Sequence, residues 1–311
     1  MKKNPLIELH LHLEGSIYPS DAAHISGTPA SQLEPLFRHE DFNDFLKHFG
    51  RVVSLMRSGD DLRWLLGRHL ERLRSQGCVY AEVRVSPSVW ERFGIEPNAA
   101  MKKLLEIEVP GIAHCFIVEA VRHWERQLSE RDLDLALEMK GRVRGFGIGG
   151  DEAAAPVSGF CWAAEACRKD GIAFIPHAGE VCGAEEVAAA LEMGSRRIGH
   201  GIRSVDDPGL CENLADEGIH LEVCPTSNLR TGAVKTGEVH PLRLLWERNV
   251  PFSVSTDDPG LFLTTLEDEM ALAASITGFG EAGSEVVTKE ALRVSLLEKN
   301  EKDRLGTILS L

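Results

Sequence analysis

The sequence predicts an α/β fold closed as a single (β/α)8 TIM barrel, and three observations carry that prediction. Short apolar segments alternate with helix-spaced segments along the whole chain, the pattern of βαβ units on a parallel sheet. The strand candidates number eight, which favours a closed barrel over an open doubly wound sheet. An open sheet would want a Gly-rich phosphate turn at a strand end, and the nearest run, GFGIGGDE at 145–152, has the wrong spacing.

The expected strands are residues 6–12, 79–85, 115–121, 143–148, 173–176, 197–199, 220–223 and 252–255. Helical spacing fills 62–74, 99–106, 130–140, 160–169, 184–193, 208–216 and 241–247 between them. Residues 16–61 exceed one connection and read as an inserted lid. Phe42, Phe45, Leu46, Phe49 and Val52 recur there at i, i+3, i+4, i+7 and i+10, giving one apolar face. Phe45 and Phe49 on that face would meet a substrate. Extra C-terminal helices over 265–276 and 288–298 are expected to close the barrel, and no linker or repeat divides residues 1–311.

Composition narrows the function. Of 311 residues, 43% are hydrophobic, enough for a real core. Lys plus Arg is 34 against 48 Asp plus Glu, a net charge of −14 that disfavours nucleic acid and anionic lipid as partners. The start MKKNPLIELH turns polar too soon for a signal peptide, and no apolar run is long enough to span a bilayer. Seven cysteines with no CxxC point to reduced thiols and a cytoplasmic enzyme.

His10 and His12 end the first strand on one face, because alternate side chains of a strand point the same way. In a barrel that face is the C-terminal mouth, and two neutral imidazoles there suit zinc. The pair alone could equally finish a strand with satisfied hydrogen bonds. PHAGE at 176–180, IGHG at 198–201 and STDDP at 255–259 add His177, His200 and Asp257 at further strand exits. Such a shell can hold a metal with one position left for water, whose pKa the metal lowers.

ELHLHLEGS, HAGE, RIGHGIRS, EVCPTSN and STDDP, in that order, resemble the adenosine deaminase family of the amidohydrolase superfamily, with GGDE and FLKHF also agreeing. The resemblance implies one zinc ion per chain and hydrolytic replacement of a purine 6-amino group by oxygen. It implies His10, His12, His177 and Asp257 as metal ligands, with His12 also bordering the substrate. Glu180 matches the proton shuttle that donates to purine N1. His200 matches the residue that orients the attacking oxygen and steadies the developing oxyanion, with Asp257 beside it in the catalytic set. Asp258 matches the group bonded to N7, and Gly150 the glycine whose backbone N–H meets N3. The chemistry agrees: C6 is attacked readily only when N1 is protonated and the water is ionised.

Two features bear on the substrate. Glu14 stands where the nucleoside deaminases carry a shorter Asp against the ribose 5′-hydroxyl, and HLEG resembles relatives acting on adenine or modified nucleosides. The lid is short, while LFLTTLEDEM after the Asp pair resembles the nucleoside branch. Arg230 in SNLRTG could meet an anionic group beyond the 5′ carbon, or be an ordinary loop cation. The expected substrate is adenosine or deoxyadenosine, with 6-amino-6-deoxyfutalosine and then free adenine as alternatives. A bimetal amidohydrolase would want a bridging lysine at a strand end, and none stands there. A barrel with a merely structural metal, or a binding protein built on the fold, would be expected to lack Glu180 or His200, and both are present. The oligomeric state is open.

Overall fold

A computed structural model describes residues 5–39 and 42–308; the two N-terminal lysines lie outside the described residues. Among the described residues nine parallel strands appear in chain order: β1 Leu6–His12, β2 Cys78–Val85, β3 Ala113–Val121, β4 Val143–Gly149, β5 Ala173–Phe174, β6 His177–Ala178, β7 Arg197–His200, β8 His220–Val223 and β9 Phe252–Val254. They pair as two arcs, β1 to β5 and β6 to β9. The arcs are parts of one barrel. β5 and β6 are the expected fifth strand, broken at Ile175–Pro176, where proline has no N–H to donate. Ile175 N–H still donates to Phe146 O at 2.9 Å, and Gly199 N–H to Pro176 O at 2.9 Å. On the other side Asp257 N–H donates to His10 O and His12 N–H to Asp257 O, at 2.9 and 2.8 Å, closing the end of the last strand onto the first.

Helices cover the barrel. Gly59–Ser75 shows why: Ser58 caps it by accepting from Asp61 N–H, and Leu62, Leu65, Leu66, Leu70 and Leu73 bury one face. The lid holds helices Pro19–Ser26, Ala30–Leu33 and Phe42–Val53. On the last, Phe45 and Val52 are buried, and Phe42, Leu46 and Phe49 pack against the same core. No helix among the described residues is long and apolar enough to cross a membrane, and all seven cysteines are free.

The barrel interior is charged. Glu8, His10 and His12 on β1, Glu82 and Arg84 on β2, and His220 and Glu222 on β8 follow the two-residue period of a strand and are all buried. Arg197 reaches Glu82 at 2.8 Å and Glu222 at 2.5 Å, and Arg84 reaches Glu222 at 2.7 Å and Glu119 at 2.6 Å. This chain of ion pairs runs from the barrel floor to its mouth. Removing one member of such a buried network costs about 3–5 kcal/mol, because its partner is stranded.

The C-terminal region corrects the sequence reading. The expected helix over 288–298 is Glu281–Val294, followed by a separate helix Lys299–Ile308. The floor network captures the backbone between them: Leu296 N–H donates to Glu82 at 2.6 Å, Arg197 donates to Val294 O at 3.1 Å, and Arg144 to Leu296 O at 2.7 Å. Tertiary hydrogen bonds to buried charges override the local helical pattern.

Candidate active site

Four side chains converge where β1, β6 and the turn after β9 meet. His10 Nε2 lies 3.1 Å from His177 Nε2 and 3.3 Å from His12 Nε2, while Asp257 Oδ1 lies 3.4 Å from His10 Nε2 and 3.2 Å from His12 Nε2. Ligand atoms about 3.1–3.4 Å apart around one centre stand roughly 2.0 Å from it, the zinc–nitrogen and zinc–oxygen distance. The donor set also fits the ion: three imidazoles and a carboxylate.

The outer nitrogens are held. His10 Nδ1 bonds Glu222 at 2.8 Å and His177 Nδ1 bonds Ile148 O at 3.0 Å. Glu119 lies 3.5 Å from His12 Nδ1 and 3.4 Å from His177 Nδ1. Such bonds fix the tautomer and turn the opposite nitrogen to the metal. Glycines leave the room: a Cβ on Gly199 would meet His10 at 2.9 Å, and one on Gly149 would meet Glu119 at 2.3 Å.

Glu180 and His200 face this centre. His200 Nδ1 takes the Asn228 amide at 3.2 Å, and its Nε2 lies 3.7 Å from Glu180 and 3.8 Å from Asp257. Burial lowers the His200 pKa to about 3, so it is a neutral imidazole offering Nε2–H. Burial raises the Glu180 pKa well above the carboxylate range, and the charges of Asp257, Glu152 and Asp258 add to that. Both effects favour the protonated carboxylic acid form of Glu180. Glu152 holds the loop beneath it, accepting from the N–H groups of Gly179, Glu180, Val181 and Cys182 at 2.5, 3.2, 2.8 and 2.8 Å. His200 and Asp257 both sit at positive φ, 59° and 62°, strain that collects at functional positions.

Asp258 is buried with Oδ1 unpartnered. It lies flat against Gly15, where a Cβ would come within 1.6 Å of Oδ1, so only glycine fits. Burial and the Asp257 charge raise its pKa well above the usual range. Gly150, at φ 96°, lines the cavity with a Cβ position only 2.9 Å from His123 Nδ1. The cavity is about 310 Å³. His12, His177, Glu180, His200, Asp257, Asp258 and Gly150 border it, as do Phe45 and Phe49 of the lid.

Two expected residues are not at the cavity. Glu14 opens a tight turn after β1, and its Oε1 accepts from Ser86 N–H at 2.8 Å and Trp90 Nε1–H at 2.6 Å. That oxygen is engaged inside the wall, while the buried Oε2 has no partner. Arg230 sits in a separate hollow with Phe37, Arg38 and His39. Ser227 and Thr231 of the same segment line the cavity, whereas Arg230 lines that other hollow. Sequence reasoning did not single out Glu119, Glu152, Glu222 or Asn228.

The adenosine deaminase family profile matches residues 5–309. The chain is similar to an adenine deaminase of Rhizobium rhizogenes, 32% identical over 305 residues and spanning 94% of this chain and 95% of that protein. Its fold is similar to the crystal structure of adenine deaminase from Arthrobacter aurescens, with a TM-score of 0.92 at 24% identity over 99% of this chain and 98% of that one. It is also similar to an amidohydrolase from Burkholderia ambifaria with bound zinc, with a TM-score of 0.86 at 22% identity, covering 98% of this chain and 89% of that one. The chain therefore belongs to the adenosine deaminase family and is a hydrolytic purine deaminase.

Proposed function

We propose that the protein removes the 6-amino group of an adenosine-type purine nucleoside, with one zinc ion held by His10, His12, His177 and Asp257. The extent of the cavity supports the nucleoside. Beyond the polar end it continues between Phe42, Phe49, Val89, Phe93 and Trp124, more room than a bare purine needs. When bound, the metal would supply Lewis-acid activation of a water molecule.

The chain's own residues would do the rest. Glu180, held protonated, donates its proton to N1 and makes C6 electrophilic. His200, neutral with Nε2–H inward, orients the attacking oxygen and bonds it as charge develops. Asp258 in its protonated form donates to N7, a ring nitrogen that can only accept. Gly150, lacking a side chain, lets the backbone approach N3. The C6–N bond then breaks with proton delivery through Glu180, so water is consumed, ammonia leaves and a 6-oxopurine remains.

Free adenine is the second reading. The adenine deaminase relatives favour it, and so does Glu14, whose carboxylate is bonded to Ser86 and Trp90 rather than turned to a ribose. The guanidinium that does line the cavity is Arg92, 3.8 Å over the Trp124 ring. Substrates with an anion beyond the 5′ carbon, 6-amino-6-deoxyfutalosine among them, therefore belong in the assay. Ammonia release is measured for adenine, adenosine, deoxyadenosine and a 5′-extended nucleoside. A higher kcat/KM for a nucleoside than for adenine is expected. Preference for adenine over every nucleoside would replace the first reading by the second.

A further inference from the structure

The geometry points to a second metal site, outside the barrel, built by His39, Asp44 and His48 of the lid for a zinc-type divalent cation. His39 Nδ1 lies 3.2 Å from His48 Nδ1, and Asp44 Oδ2 lies 3.7 Å from that same His48 nitrogen. Ligands on one tetrahedral zinc stand about 3.3–3.4 Å apart; the two histidine nitrogens lie near that spacing, Asp44 is a little wider from His48, and all three ligand atoms lie within 4.8 Å of one another. Asp44 and His48 are spaced i, i+4 on the helix Phe42–Val53, which puts both on one face. His39 Nε2 contacts Leu261 O at 3.2 Å; a proton there leaves Nδ1 with its lone pair toward His48. An imidazole that spends one nitrogen on a backbone carbonyl and offers the other to a cluster is arranged as a metal ligand. Two imidazoles and a carboxylate are the donor set of an open zinc site, with a fourth position for water.

The site would clip the lid shut. His39 packs on Phe45 and Phe262, with ring centroids 5.5 and 6.0 Å apart, and Phe45 stacks on Phe262 at 5.0 Å. Leu261 and Phe262 follow the Asp257–Asp258 pair, while Phe42, Phe45 and Phe49 of the lid helix line the cavity. A cation joining His39 to that helix would tie the cavity's apolar wall to the loop that carries the Asp pair. Arg38 and Arg230 line the hollow beside His39, and their charge makes this site weaker than the barrel centre.

The test counts metal in the full-length holoenzyme. Zinc is titrated into the purified protein against a chromogenic chelator, and limited proteolysis follows the lid with and without added zinc. Wild type should take about two equivalents, the second released first by the chelator, and the lid should become more resistant to cleavage as it fills. His48→Ala and Asp44→Asn should each lose the second equivalent and the zinc-dependent protection while keeping the first. One equivalent in wild type, as a plain hydrogen-bonded histidine pair would give, overturns the site without reference to any variant. A second equivalent of undiminished affinity in both variants overturns it as well.

Discussion

His10 and Glu222 form a buried pair across the barrel: the Nδ1 of the histidine and a carboxylate oxygen are 2.8 Å apart, though 212 residues separate them in sequence. The same oxygen takes Arg84 at 2.7 Å. The imidazole is thereby fixed with Nε2 toward His12, His177 and Asp257, where the metal is proposed, and His10 is tied to the ion-pair chain that fills the barrel.

Glu222→Gln tests that relationship. The amide keeps the volume but binds the His10 proton less strongly and leaves Arg84 and Arg197 with less countercharge. Loss of such a partner weakens metal binding by roughly 10- to 100-fold. Chelator competition on folded variant and wild type should show a drop in that range. Equal affinities would mean that the strand geometry alone holds His10.

For Glu180→Gln we expect a folded protein with its full catalytic metal and a loss of roughly 10²–10⁴-fold in kcat, because an amide cannot deliver a proton to N1. The pH profile adds a second readout. Only protonated Glu180 serves, and its pKa is raised, so wild-type kcat/KM should fall on the alkaline side. That limb should be missing from the residual activity of the variant. A loss of less than about tenfold would assign the acid to another group.

Asp132 gives a stability test away from the site. It is buried, its Oδ1 accepts from Ser88 N–H at 3.0 Å, its Oδ2 has no partner, and burial raises its pKa to about 7 from the ordinary 3.8. The unfolded chain therefore loses this proton first, and the folded state loses stability as pH rises from about 4 to about 7. Asp132→Asn cannot ionise and can still accept from Ser88. Its stability relative to wild type should rise between about pH 4 and pH 7 and level off above that, by at most roughly 4 kcal/mol for a shift of this size. Other buried acids titrate in both proteins and cancel in the comparison. A difference independent of pH in urea unfolding would show that Asp132 stays ionised.

What could be read from the sequence was what is local. The HxH pair, the His177 and Glu180 spacing and the Asp257–Asp258 pair lie within short motifs at strand exits, where the two-residue period fixes the facing direction. Glu119 and Glu222 were hidden because each stands in an apolar strand whose partners depend on barrel closure and register. Glu152 was hidden for another reason: its task is to hold four backbone N–H groups some thirty residues further on. The helix end at Val294 is set by Glu82 and Arg197, which no local pattern near residue 294 announces.

Glu14 carries the last prediction. The sequence placed it against a substrate, whereas its Oε1 accepts from both Ser86 N–H and the Trp90 indole at 2.6 Å inside the wall. Asp in its place retracts the carboxylate by one methylene and cannot reach both donors, so one is left buried and unpaired. That costs about 1–3 kcal/mol. Ser86 and Val89 of the same segment line the cavity, so the wall loosens on the side away from the metal ligands. Glu14→Asp should therefore lower the unfolding midpoint and raise KM for every substrate of the panel, with little change in kcat. Arg230→Ala, outside the cavity, should leave the ratio of kcat/KM between neutral and 5′-anionic nucleosides unchanged. Arg92→Ala should shift that ratio toward the neutral ones. A selective effect of Arg230→Ala on anionic substrates, or a Glu14→Asp protein of wild-type stability that discriminates newly among 5′ groups, would return both residues to the substrate site.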